Sequence, residues 1–161
     1  MSETLEARVK VETITAMKAR DGERTTTLRL ITTALKNKVI EKRTSADATL
    51  SEAEAQQVLA SMIKQRRDSI EQFTKGDRPE LAAKEATEIA VIEEFLPKAL
   101  TEEELRALVG LVVAEIAEGA AAKPGPKEMG MVIKAVQARL QKDGLRAEGR
   151  QVSEAVKLAL V

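Results

Sequence analysis

The sequence predicts an all-α, multihelical protein. Apolar residues recur at three- and four-residue spacing along nearly the whole chain, the period of one buried helix face. Capping signatures stand where several of these patterns begin. No alternating run, and no Asn-Gly or Asp-Gly turn between β-branched stretches, marks a strand.

Leu5, Val9, Ile14 and Met17 give a first helix ending near Asp21-Gly22. Leu28, Ile31, Leu35 and Val39 line a second, which runs to about Arg43. Thr44–Asp47 is a loop of residues whose side chains bond nearby backbone. Ser51, with Glu54 three residues on, is a capping box that opens a long third helix, closed at Lys75-Gly76. Asp77 and Glu80 are placed to cap the fourth, with Pro79 tolerated in its first turn. Pro97 stops that helix by disfavouring a helical Leu96. Thr101 and Glu104 form a second capping box, and Leu105, Leu108, Val109, Val112 and Ile116 share one face up to Gly119. Residues 120–126, which end in Pro124-Gly125-Pro126, have linker composition. A sixth helix turns Met129, Val132, Ile133, Val136 and Leu140 inward and ends at Asp143-Gly144, and Val152, Val156 and Leu160 line the last. The first four helices make an N-terminal subdomain, residues 1–96. The last three make a C-terminal bundle, residues 101–161.

Two charged residues interrupt the apolar seams of the third and fourth helices. Arg66 falls between Ile63 and Ile70, on the seam of Leu59 and Phe73. Glu85 interrupts Ala82, Ile89, Ile92 and Leu96 at the matching place. Helices folded back about Gly76 bring the two together, because an unpaired buried charge costs several kcal/mol. The pair is a structural ion pair that fixes register, or an anion site in which Lys64 and Arg67 join Arg66.

Composition narrows the chemistry. The 161 residues contain no Cys, His, Trp or Tyr. A thiol nucleophile, a Ser-His couple and a thiolate or imidazole metal site are thereby excluded, and no metal or cofactor is expected. The two Phe residues, Phe73 and Phe95, lie on core seams, which leaves no aromatic platform for single-stranded bases. No apolar run approaches the ~20 residues that span a bilayer, so no membrane contact is expected. The first residues lack a secretory signal, and the expected compartment is cytoplasmic. Net charge is zero but uneven: +3 over residues 1–79, −7 over 80–118 and +4 over 119–161. The basic end and acidic middle suggest surfaces with different partners.

Several runs resemble the YqeY family: residues 63–73 (Ile63 to Phe73, with Lys64, Arg66 and Arg67), residues 93–105 (Glu93-Glu94-Phe95-Leu96-Pro97 through Leu105), Met129-Gly130-Met131-Val132 and residues 146–152. Relatives usually carry Gly and Asp where this chain has Leu145 and Glu148, and often Asn at Ser153. The resemblance implies two helical subdomains. It also implies that the C-terminal bundle is similar to the tail domain of the B subunit of the tRNA-dependent amidotransferase, which contacts the tRNA elbow. On that basis Lys134, Arg139, Lys142, Arg146 and Arg150 are the candidate phosphate contacts, helped by backbone N–H groups at the start of the last helix.

Three functional readings follow. The first is a module that binds tRNA or associates with the amidotransferase and is not catalytic alone. The second is an adaptor without nucleic acid, with Glu93, Glu94, Glu102, Glu103 and Glu104 as a surface for a basic protein. The third is a carbon–nitrogen ligase with glutamine as amide donor. It ranks last, because nothing in the chain resembles a phosphate cradle or an ammonia-releasing nucleophile.

Overall fold

Seven α-helices follow one another in the computed structural model, which describes residues 3–42 and 49–161. They are α1 (Leu5–Lys18), α2 (Gly22–Lys42), α3 (Glu52–Lys75), α4 (Pro79–Glu93), α5 (Glu102–Ala120), α6 (Met129–Lys142) and α7 (Gly149–Ala159), with a short 3-10 turn at Pro126–Glu128. The loop expected at Thr44–Asp47 lies outside the described residues. The chain divides after Leu96 into two compact units, residues 1–96 and 97–161. Each buries its own apolar cluster.

In the N-terminal unit α3 lies along α4 and α1 along α2. Leu5, Leu28, Ile31, Leu59 and Ile92 are fully buried between them. The inner face of α1 differs from the expected one. Leu5, Val9 and Ala16 are buried, whereas Ile14 and Met17 are about half exposed, at 48% and 51%. Ile14 lies nine residues after Leu5, two and a half turns on, which places it on the opposite side of the helix. The helix α2 carries an unusual load of β-branched residues. Thr25, Thr26, Thr27, Thr32 and Thr33 each donate their hydroxyl to the carbonyl four residues back. That bond lets Thr25 and Thr27 sit inside with their polar atoms satisfied.

Both capping boxes are present. Ser51 accepts from the Glu54 amide and Thr101 from the Glu104 amide, and each glutamate bonds back to its cap. Their carboxyls are held below the ordinary carboxylate value. For Glu54 the main cause is Lys42, at 2.6 Å, followed by Ser51; for Glu104 it is the Thr101 amide, followed by Lys98. A depressed carboxyl stabilises the fold fully above the unfolded value of 4.5 and loses that contribution as pH falls through the folded value. Glu54→Gln and Glu104→Gln are therefore expected to flatten the loss of stability below pH 4.5 in acid titrations followed by far-UV circular dichroism. An unchanged acid limb would show that these caps do not titrate with folding.

Helix ends were harder to anticipate. At the close of α1 the Asp21 amide reaches Ala16 O and the Arg20 amide reaches Met17 O. The same pair of bonds closes α3 through Arg78 and Asp77, and α6 through Leu145 and Gly144. This double bond needs a left-handed residue at its corner. Gly144 fills that position on α6, but Arg20 (φ 57°) and Asp77 (φ 55°) fill it on α1 and α3. Gly76, expected to close α3, sits at φ −85°, and Gly22 opens α2 instead of closing α1. Arg20→Gly is expected to stabilise the N-terminal unit by about 0.5–1 kcal/mol, because only glycine adopts this conformation without steric cost. A urea-unfolding midpoint that stays put or falls would contradict this. The cap expected for α4 also differs. Arg78 is the N-cap without a side-chain bond to the helix, and its guanidinium holds Glu80 at 2.6 Å.

Candidate nucleic-acid interface

The C-terminal unit sets α5, α6 and α7 around Leu105, Val109, Val132, Val136, Val152 and Val156, each at most 2% exposed. Alternation of these residues with charged ones fixes which side chains α6 and α7 turn outward. Of the five basic residues expected to meet phosphate, Lys134 and Lys142 are exposed on α6, and neither has a carboxylate partner among the described residues. Arg150, in the first turn of α7, is almost fully exposed and bonds Glu154 at 3.4 Å. Arg139 is committed elsewhere. Its guanidinium reaches Glu115 on α5 and Asp143 at the end of α6, both at 3.1 Å. Glu115 and then Asp143 raise its pKa above the ordinary arginine value.

Arg146 has a structural duty. Its amide donates to Lys98 O at 3.1 Å and its carbonyl accepts from the Leu100 amide at 2.9 Å, a single parallel bridge centred on Ala99. Its Nε also reaches Pro97 O. The bridge ties the segment before α5 to the segment before α7, and sets how α7 starts. The N-cap of α7 is Glu148, which makes no side-chain bond to the first-turn amides. The unit holds ten basic and nine acidic side chains, a net charge of +1. The expected excess of +4 over residues 119–161 is offset within the unit by Glu102, Glu103, Glu104, Glu115 and Glu118 on α5.

The acidic residues of the middle segment are largely engaged. Glu93 meets Arg67 at 3.6 Å, and Glu94 meets Arg24 at 2.8 Å. Glu104 completes its capping box and Glu102 pairs with Arg106. Arg24 is a clamp that sequence reading missed. It holds Glu12 of α1 at 3.0 Å as well as Glu94 just beyond α4, and Glu94 is the main cause of its raised pKa. Beside it, Arg8 donates to Phe95 O at 3.2 Å and lies 5.9 Å from the Phe95 ring centroid. No local pattern signals the Arg24–Glu94 and Arg8–Phe95 contacts, whose members lie 70 or more residues apart.

The charge pair between α3 and α4 is present with a different acid. Arg66 Nε bonds Glu88 Oε2 at 2.9 Å, not Glu85, and Arg66 Nη1 reaches Met62 O. The turn at Gly76-Asp77-Arg78 pivots about Asp77, which moves the register so that Glu88, one turn beyond Glu85, faces the guanidinium. Both side chains are nearly buried, at 13% and 14% exposure. Phe95 lies in the core as expected, while Ile70 and Phe73, nearer the turn, are only half-buried. Among the described residues no group of three or more acidic side chains is placed to hold a metal ion, and no helix is long and apolar enough to cross a membrane.

Fold and surface together define a two-unit, all-helical protein with a lysine-bearing helix in its second unit. A family model described as Yqey-like protein matches residues 6–160, and the chain belongs to that family. Similar proteins from Kluyveromyces lactis and Saccharomyces cerevisiae (strain YJM789) are both named "Altered inheritance of mitochondria protein 41, mitochondrial". The first is 38% identical over 115 residues, covering 70% of this chain and 60% of the relative. The second is 29% identical over 147 residues, covering 91% and 75%. An Eremothecium gossypii protein of the same name is 33% identical over 129 residues, covering 78% and 68%. The chain thus spans about three fifths of the length of the Kluyveromyces relative. These names place the relatives in mitochondria, which overturns the cytoplasmic expectation. That expectation rested on the lack of a secretory signal, which does not bear on an organelle addressed by other means.

Proposed function

We propose that this chain is a non-catalytic module that binds folded tRNA through α6 and the start of α7, in association with a tRNA-dependent amidotransferase. The observation that carries this reading is the pair Lys134 and Lys142, exposed and free of carboxylate partners among the described residues. They stand eight residues apart, about 12 Å along the helix, a span that suits separate phosphates of one strand better than a single small anion. Arg150 adds a third cation near the uncapped amides of α7. Family membership supports the reading through the resemblance of the bundle to the amidotransferase tail. The lack of Trp and Tyr favours recognition of shape and backbone over base stacking. Arg139 and Arg146 have supporting roles here, because internal bonds already hold them.

The test is a titration of the full chain with total tRNA at several salt concentrations. Affinity is expected to fall steeply with salt, as phosphate contacts release counterions. Lys134→Glu with Lys142→Glu is expected to weaken binding about tenfold or more, while Arg139→Gln changes it little. If tRNA fails to bind at low salt, or binds with the double variant undiminished, the reading is wrong.

A further inference from the structure

A groove of about 790 Å³ runs between α1 and α2. Its floor is Val9 and Leu35, each 2% exposed, and Ile14 forms one wall. Thr13, Thr32 and Thr33 also line it, with their hydroxyls bonded to Val9 O, Leu28 O and Arg29 O. A ligand therefore meets no free hydroxyl donor from these three residues. The charges on the rim are one-sided: Lys10, Arg29 and Lys36 against Glu6. None of the three cations has a carboxylate partner among the described residues, and Arg29 rests only on the Met17 sulfur, at 3.8 Å. Elsewhere in the same unit Arg24, Lys42, Arg66 and Lys75 are each paired with a glutamate.

We propose that this groove docks an acidic amphipathic helix of a partner protein. An apolar trough with an unneutralised basic rim complements a helix with one apolar face flanked by carboxylates. The spacing sharpens the match. Arg29 and Lys36 lie seven residues apart on α2, about two turns or 10.5 Å along nearly the same face. A helix lying along α2 presents acids at the same interval when they stand at positions i and i+7. A flat anionic bilayer would find the same cations but not the floor, since Val9 and Leu35 lie beneath the rim. The half-exposed Ile14 and Met17 are the apolar surface this docking would cover.

The probe is a fluorescein-labelled helical peptide of about 16 residues, with leucines at i, i+3 and i+7 spacing and two glutamates seven residues apart. It is titrated against the full chain by anisotropy. Saturable binding is expected, weakened about tenfold by Ile14→Asp and about tenfold by Arg29→Glu with Lys36→Glu. A peptide with lysines in place of the two glutamates is expected to regain affinity for the charge-reversed protein, an outcome that misfolding cannot mimic. The proposal is overturned if no saturable binding occurs, or if the charge reversals leave affinity unchanged. It is also overturned if phosphatidylglycerol vesicles bind through Arg29 and Lys36 while the peptide does not, which would assign the surface to lipid.

Discussion

Replacing Arg66 with alanine is expected to destabilise the N-terminal unit by about 3 kcal/mol, the scale of breaking a nearly buried ion pair on one side. The guanidinium holds Glu88 at 2.9 Å and also bonds Met62 O. Without it the Glu88 carboxylate, only 14% exposed, is left with its desolvation uncompensated. Arg66→Met combined with Glu88→Leu removes both charges and fills the space, and is expected to lie within about 1 kcal/mol of the parent. Glu85→Gln, which touches the acid that the sequence favoured, is expected to stay within about 0.5 kcal/mol. Urea unfolding of the four proteins distinguishes the partners. Equal losses in Arg66→Ala and Glu85→Gln would refute the Arg66–Glu88 assignment.

Leu105→Ala is expected to cost about 3 kcal/mol in the C-terminal unit, from the lost burial and the cavity left behind. Leu105 is 2% exposed in the first turn of α5, beside Val109 and Val112. A unit of this size has about 3–10 kcal/mol of stability in total, so one such change removes a large fraction and can unfold it. Both Phe residues belong to the N-terminal unit, so phenylalanine fluorescence cannot report this event. Amide hydrogen exchange can: protection is expected to fall across α5, α6 and α7. Unchanged protection would mean that Leu105 is not a cornerstone of this core.

Much of the architecture was legible because helices announce themselves locally. The Ser51/Glu54 and Thr101/Glu104 boxes, the seam of Leu105 to Val112 and the face of Val132, Val136 and Leu140 each follow from residues within four positions of one another. Misreadings arose where a small angular error accumulates. From Leu5 to Ile14 the helix turns to its far side, so Ile14 and Met17, expected in the core, are half exposed and Ile14 becomes a wall of a groove. From Gly76 to Asp77 the turn shifts by one residue, and Arg66 meets Glu88 in place of Glu85. The candidate interface was legible as a list of cations but not as a surface. Asp143, four residues on, is a local partner that Arg139 has and Lys134 lacks, but nothing local signals Glu115, 24 residues away, which also occupies Arg139.

The sequence by itself determined the all-α class, the capped starts of α3 and α5, the core faces of α5, α6 and α7, and the chemistries that a chain without Cys or His excludes. Those properties rest on periodicity, capping and composition, which act over a turn or two of chain. Only the tertiary structure decided which charges are spent and which remain available. Arg24, Arg66 and Arg139 are neutralised by glutamates brought from other helices, while Lys10, Arg29 and Lys36 on the groove, and Lys134 and Lys142 on α6, are left without such partners among the described residues. The reason is geometric. Ion pairing falls off within a few ångströms, and which side chains come that close depends on how whole helices pack.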